Sequence, residues 1–333
     1  MKAIHQSVDG VTVSASTDAA TGQRCAIATR DGRVSVRELA SAYMAEYAGR
    51  DTSRVQRLSF WVSVLGDVPL ADLNDDLVFD ALEDLAARRS RYFAGRDALG
   101  QPILKQKRQR LSPATINRYQ AALSALLSWV QRNRIAPRDW VNPCRTLGMR
   151  VERNEMVRYL SGEERTALLA ACRDAKWPML YLLVLMGLTT GARRGELAAL
   201  RWADIDLVRA EAAVHRSKNG DRKTLVLVPA VADELRRHEG SSGALVFASK
   251  RRPDRAFNFE QQWSNALRVA KVKAFRFHDL RHSCASALAQ NGASLLEIAD
   301  VLGHRQLSVT KRYSHLATGH KAKLINRVLG DFR

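Results

Sequence analysis

Three short strings in the second half of the chain gather residue types suited to attack on a phosphodiester. The first is Thr190-Gly191-Ala192-Arg193-Arg194-Gly195-Glu196-Leu197. A glycine turn there precedes an expected helix start, with Arg193 in its first turn. A helix N-terminus already favours anions, and a guanidinium adds a bidentate fork for phosphate oxygens. Glu196 follows on the same face, where it can hold Arg193 in place. The second string is His278-Asp279-Leu280-Arg281, followed by His282. His278 and Arg281 lie one helical turn apart, which brings together a cation for non-bridging oxygens and a titratable ring. The third is Leu302-Gly303-His304 with, further on, Lys311-Arg312-Tyr313-Ser314-His315. A phenol with two basic neighbours is expected to have a somewhat lowered pKa and suits attack on phosphorus. Each string alone has an ordinary explanation as a surface ion pair, a polar helix start or a half-buried core tyrosine.

The charge balance strengthens the phosphate reading. The 333 residues contain 53 Lys and Arg against 34 Asp and Glu, a net +19. The excess is +7 in residues 1–150 and +12 in residues 151–333, so an anionic partner is expected to touch both halves. The densest cluster runs from Arg88 to Arg110 with Asp97 as its one acid. Within it Lys105, Lys107, Arg108 and Arg110 are candidate phosphate contacts on a solvated helix end or loop. Hydrophobic residues make up 46% and charged residues 26%, as in soluble globular proteins and unlike disordered ones. The longest apolar stretch, Met179 to Leu188, is half of the roughly 20 residues a spanning helix needs. The first residues lack the pattern of a secretion signal. A soluble, cytoplasmic protein with no membrane contact is therefore expected. Cys25, Cys144, Cys172 and Cys284 are too far apart for a cysteine zinc site and read as buried free thiols. No GxxxxGK[ST] phosphate loop is present, which argues against an ATP-driven motor.

The elements that must position these residues fall into two domains. Residues 1–33 read as a weakly structured extension. A capping box of Ser35 and Glu38 then opens a helix with Val36, Leu39, Ala40, Tyr43 and Met44 on one face. Further helices are expected from about Thr52 to Leu65, from Asn74 or Asp75, and from Ser112-Pro113. Pro137, Pro143 and Gly148 mark a linker region, and Ser161 with Glu164 restarts helical structure. Met179 to Leu188 reads as a buried helix. Two β-rich runs, Glu211 to Arg216 and Arg222 to Val228, flank Asn219-Gly220, a tight-turn pair. The remainder is read as mainly helical.

The order and spacing of TGARRGEL, the hairpin lysine Lys218, HDLRH, LGH and KRYSH resemble the tyrosine recombinases, or phage integrases. The resemblance is strong over residues 155 to 330. Over residues 35 to 150 it extends only to a basic four-helix domain. It implies a mainly α, two-domain protein. An N-terminal DNA-clamping domain (34–146) would be joined by a linker (147–157) to a C-terminal α+β catalytic domain (158–333), mostly helical with a small antiparallel sheet. It further implies an integrase of a prophage or other mobile element that cuts and rejoins DNA through a 3′-phosphotyrosine.

By the same resemblance Tyr313 is the nucleophile. Arg193 and Arg281 clamp the non-bridging oxygens. His278 takes the tyrosine proton, and His304 donates a hydrogen bond to the phosphate. Lys218 protonates the leaving 5′-oxygen, with Lys223 as the alternative because hairpin register is uncertain. Glu196 orients the site. No metal and no cofactor are implied. The partners are double-stranded DNA and three further copies of the chain, with the helix at Gly319 to Leu329 exchanged between subunits. Two other readings are a type IB topoisomerase-like enzyme and a catalytically silent DNA-binding protein of the same fold.

Overall fold

The computed structural model describes residues 33–97, 99–152, 158–215, 222–317 and 325–329. The chain divides into two compact units, residues 1–153 and 154–333.

The first unit is built on four helices: α1 (Val36–Glu46), α2 (Arg54–Leu65), α3 (Asp75–Ala87) and α4 (Pro113–Arg132). Their starts follow from local chemistry. Ser35 and Glu38 form the full capping box, Asn74 accepts from the Leu77 N–H, and Ser112 accepts from the Thr115 N–H ahead of Pro113. The apolar faces meet around Trp61, Leu123, Leu126 and Leu127, all fully buried. Trp61 donates its indole N–H to the Tyr119 carbonyl at 2.9 Å. Asn117 donates to the Arg150 carbonyl and accepts from the Arg150 N–H, both at 2.9 Å, while Gln120 donates to the Leu147 carbonyl. Residues 147–150, placed in the linker by sequence, are thus tied to α4; residues 153–157 lie outside the described residues.

Between α3 and α4 the structure differs from expectation. The basic cluster is a two-stranded antiparallel ribbon, β1 (Arg89–Arg96) with β2 (Pro102–Arg110), instead of a helix end and loop. Every residue of β2 is exposed.

The second unit begins with α5 (Gly162–Arg173), capped by Ser161 and Glu164, and α6 (Met179–Thr190). Then follow α7 (Arg194–Ala198), the antiparallel sheet β3 (Ile205–Asp206), β4 (Glu211–Val214) and β5 (Lys223–Val226), and α8 (Pro229–Arg237). A small ribbon, β6 (Ala248–Ser249) with β7 (Arg252–Ala256), interrupts the run that sequence alone reads as helical. The chain continues through α9 (Glu260–Val269), α10 (Asp279–Gln290), α11 (Leu295–Leu302), α12 (Leu307–Thr310) and a 3-10 stretch, Lys311–Ala317. Helix α6 is buried on nearly all sides, as its continuous apolar run requires. It packs closely on α10, because a Cβ at Gly187 would sit 3.0 Å from the Leu280 side chain. That packing brings the end of α6 beside the start of α10.

Cys144, Cys172 and Cys284 are free and buried; Cys25, the expected hairpin turn at Asn219-Gly220 and the extension to residue 32 lie outside the described residues. Among the described residues no helix is long and apolar enough to cross a membrane.

Candidate active site

Two left-handed glycines bring three strings of sequence together. Gly191 (φ 60°) ends α6 and Gly303 (φ 68°) ends α11, a conformation that favours glycine over residues with a Cβ. Gly191 has no spare room either, since a Cβ there would run into Leu302 and touch the Cys284 sulfur. Arg281, buried in the first turn of α10, donates Nη1 to the Gly191 carbonyl at 2.7 Å. Its Nη2 is also buried but has no hydrogen-bond partner among the described residues. Arg193 stands at the N-cap of α7. Its backbone N–H and Nη1 both reach the buried Glu196 carboxylate, at 2.9 and 2.7 Å, and its Nη2 points to the Gly303 carbonyl at 3.5 Å. Glu196 therefore fixes Arg193 by two separate contacts, as the i, i+3 spacing allows.

Lys223, the first residue of β5, enters the same site. Its side chain lies against Gly303, and its Nζ is buried without a hydrogen-bond partner among the described residues. Burial drives its pKa down to about 8, against the pull of Glu196 and with the help of Arg281 and Arg193. The other hairpin candidate, Lys218, lies outside the described residues.

His304 follows Gly303 directly. Its Nδ1 pairs with the buried Thr310 hydroxyl at 2.7 Å. A Thr310 hydroxyl that donates to Nδ1 leaves the ring proton on Nε2, the tautomer able to donate to an anion. Tyr313 is 1% exposed, seated among Ala285, Ala289, Ile298 and Leu302. The lowered pKa expected from its basic neighbours is not found. Burial raises the phenol above its ordinary value and outweighs the attraction of Arg312 and Arg281. The ring that touches the Tyr313 hydroxyl is His282, with Nδ1 2.6 Å away. His278, the expected proton acceptor, is an exposed residue whose ring packs edge-on against His282 at 5.3 Å. Partial desolvation of its ring against these neighbours, and then Arg281, shift His278 downward as well. The only hint of His282 in the sequence is its i, i+4 spacing from His278.

Two half-buried rings make the second unit acid-sensitive. Burial, as the largest cause, holds both His282 and His304 at about 4. An unfolded histidine titrates near 6.5. Below that pH the unfolded chain binds protons that the folded chain refuses, so stability falls as pH drops from about 6.5 toward 4. Unfolding therefore takes up protons at both rings across that window, so stability rises with pH between about 4 and 6.5. Urea denaturation of the full chain across that window should show the slope. His282→Gln and His304→Gln should each flatten it by about half; unchanged slopes in both variants would mean that neither ring is held neutral.

The site thus unites Arg193, Glu196, Arg281 and Lys223, with His304 beside Gly303 and the His278–His282–Tyr313 cluster along α10. Lys105, Lys107, Arg108 and Arg110 are not part of it: they lie on β2 of the first unit. No group of His, Cys, Asp or Glu that could hold a metal occurs among the described residues.

Residues 158–320 match the model of the phage integrase family. Over 300 residues the chain is 26% identical to the integrase of Salmonella phage P22, covering 82% of this chain and 74% of that protein. It is 25% identical over 226 residues to the tyrosine recombinase XerC of Lactobacillus delbrueckii subsp. bulgaricus, covering 64% of this chain and 75% of that one. Its fold is similar to that of the Tn1549 transposon integrase solved in complex with a circular intermediate DNA. That likeness has a TM-score of 0.66 and 15% identity, over 87% of this chain and 99% of the other.

Proposed function

The chain belongs to the phage integrase family of tyrosine recombinases, and from that premise we propose that it recombines double-stranded DNA through a 3′-phosphotyrosine at Tyr313, with neither metal nor ATP. The observation that carries this reading is the pair of buried cationic atoms without hydrogen-bond partners among the described residues, Arg281 Nη2 and Lys223 Nζ, in one site with Arg193. Buried donors are almost always satisfied, and a phosphodiester would satisfy these.

In the proposed reaction the Tyr313 oxygen attacks phosphorus, its proton passing to the His278–His282 pair. The bond from phosphorus to the 5′-oxygen breaks. A lysine, Lys218 or Lys223, gives that oxygen a proton; a lysine held at about 8 suits the task. Arg193 and Arg281 hold the two non-bridging oxygens, and His304 adds a hydrogen bond. A partner strand's 5′-hydroxyl then attacks the phosphotyrosine and restores both the DNA and the tyrosine. The ester conserves the bond energy, so no nucleotide is consumed.

Exchange between two duplexes requires two tyrosines on each, and therefore a tetramer on DNA. The exposure of Ile325, Val328 and Leu329 on the helical turn 325–329 supports docking of this end on a neighbouring subunit. The 34–146 domain, the 147–157 linker and the catalytic domain would together clamp the duplex. The reaction would take place in the cytoplasm, on attachment or crossover sites.

The test is to incubate the full chain with nicked duplexes made from repeats that flank its own coding region. An adduct that survives denaturing gel electrophoresis is expected, equally with and without EDTA. Activity lost in EDTA and restored by magnesium would overturn the metal-free mechanism.

A further inference from the structure

The ribbon of β1 and β2 is built in a way its own unit does not explain. Tyr92, Phe93, Ile103 and Leu104 are all exposed, at 40–58%. An isolated two-stranded ribbon is marginal in water, and exposed apolar side chains give it no core to lean on. Its charge adds to the difficulty. Asp97 is the one acid between Arg89 and Arg110, and it is engaged in the turn, where it accepts from the Leu99 and Gln101 N–H groups. The register sets Arg89 directly opposite Arg110, a like-charge pair that destabilises a hairpin. Among the described residues, Arg91, Lys105, Lys107 and Arg108 have no ion-pair partner. A second copy of the ribbon stacked on the first would only double the repulsion, so the surface calls for a polyanion.

The two faces differ. The ladder is regular from Arg91–Gln106 through Tyr92–Lys105 to Phe93–Leu104. Successive side chains alternate, so Arg91, Gln106, Phe93 and Leu104 share one face, while Tyr92 and Lys105 share the other. The first face holds a planar guanidinium, a carboxamide and two apolar groups. These are the side chains that match guanine, adenine and the thymine methyl on major-groove base edges. The lysine on the other face is a point charge, suited to phosphate and indifferent to sequence. Eight extended residues span about 26 Å, and a groove about 12 Å wide admits a two-stranded ribbon.

We propose that the β1–β2 ribbon lies in the major groove of the bound duplex, with Arg91, Gln106, Phe93 and Leu104 toward the bases and Lys105 toward the backbone. The ribbon thereby reads sequence from the first unit, whereas the residues proposed to cut belong to the second. This rests on the recombinase reading, and adds to it a specificity element.

The test uses full-length protein to select duplexes from a randomised pool, alongside adduct formation on nicked duplex. The variant Arg91→Ala/Gln106→Ala should lose about tenfold or more of its discrimination between selected and random duplex, with a block of positions gone from its own selected sequences. Phe93→Ser/Leu104→Ser should lose preference at the neighbouring positions. Lys105→Gln should weaken both duplexes equally and flatten the salt dependence by roughly 0.9 per contact. These side chains are exposed, so folding is not at stake. If wild-type protein forms its adduct but Arg91→Ala/Gln106→Ala selects unchanged sequences, the ribbon proposal fails alone. A change in oligomeric state without a change in selection would also overturn it. If wild-type protein forms no adduct on any duplex, the recombinase reading fails first.

Discussion

Tyr313→Phe should abolish the covalent protein–DNA adduct, by on the order of 10⁴-fold or more, while leaving duplex affinity within about twofold. The substitution keeps the ring, and the ring is what the fold uses. It fills a fully buried seat among Ala285, Ala289, Ile298 and Leu302. What disappears is one oxygen and its 2.6 Å bond to His282. Losing that bond should cost about 1 kcal/mol of stability, small enough to leave the chain folded. The readout is the slow-migrating adduct on a denaturing gel after incubation with nicked duplex. Adduct at an undiminished rate in the variant would place the nucleophile elsewhere.

The second large effect is expected at the arginine clamp, where chemistry and stability separate cleanly. Arg193→Ala should slow adduct formation by ~10²-fold or more, the scale for losing one preorganised donor to a developing anion. It should also destabilise the fold, because Glu196 has a side chain only 3% exposed and its ion-pair partner is Arg193. The loss leaves that buried carboxylate orphaned of its counter-charge, although the backbone N–H of residue 193 still reaches it, at a cost of about 3 kcal/mol. The double variant Arg193→Ala/Glu196→Gln removes that orphan. Its melting temperature should return most of the way to wild type while its adduct rate stays low. Recovery of both together would show that Arg193 only supports the fold. Arg281→Ala should slow the reaction at least as much. In that variant the Gly191 carbonyl loses its 2.7 Å donor, so thermal stability must be measured alongside.

The helices of the first unit were legible because their signals are local. Ser35 with Glu38, Asn74, and Ser112 ahead of Pro113 each satisfy backbone groups within one turn. Gathering Arg193, Arg281 and Tyr313 into one reading depended on the order of motifs, since nothing in each string alone says that they meet. The ribbon was missed for a physical reason. Sequence alternation arises when one face is buried, and here both faces are wet, so apolar and basic residues intermingle without a period. The turn did carry a signal in Asp97 and Gly100, the latter at φ 77°. The pKa of Tyr313 departs from the expectation because its basic neighbours are visible in the sequence, whereas its burial is a tertiary property. The bond between His282 and Tyr313 joins residues 31 positions apart, a tertiary fact beyond any spacing rule.

The unpartnered cations have a further consequence, best put as linkage. Lys223 and Arg281 are buried next to Arg193, and the Glu196 carboxylate draws on both. Burial disfavours both cations, and each raises the cost of the other. A phosphate oxygen between them relieves that repulsion in the folded state and does nothing for the unfolded chain. On the proposed reaction, the substrate would thus by mass action also stabilise the second unit. On that chemistry, the surplus of charge that would hold the transition state also keeps the unit below the stability its apolar core would otherwise give.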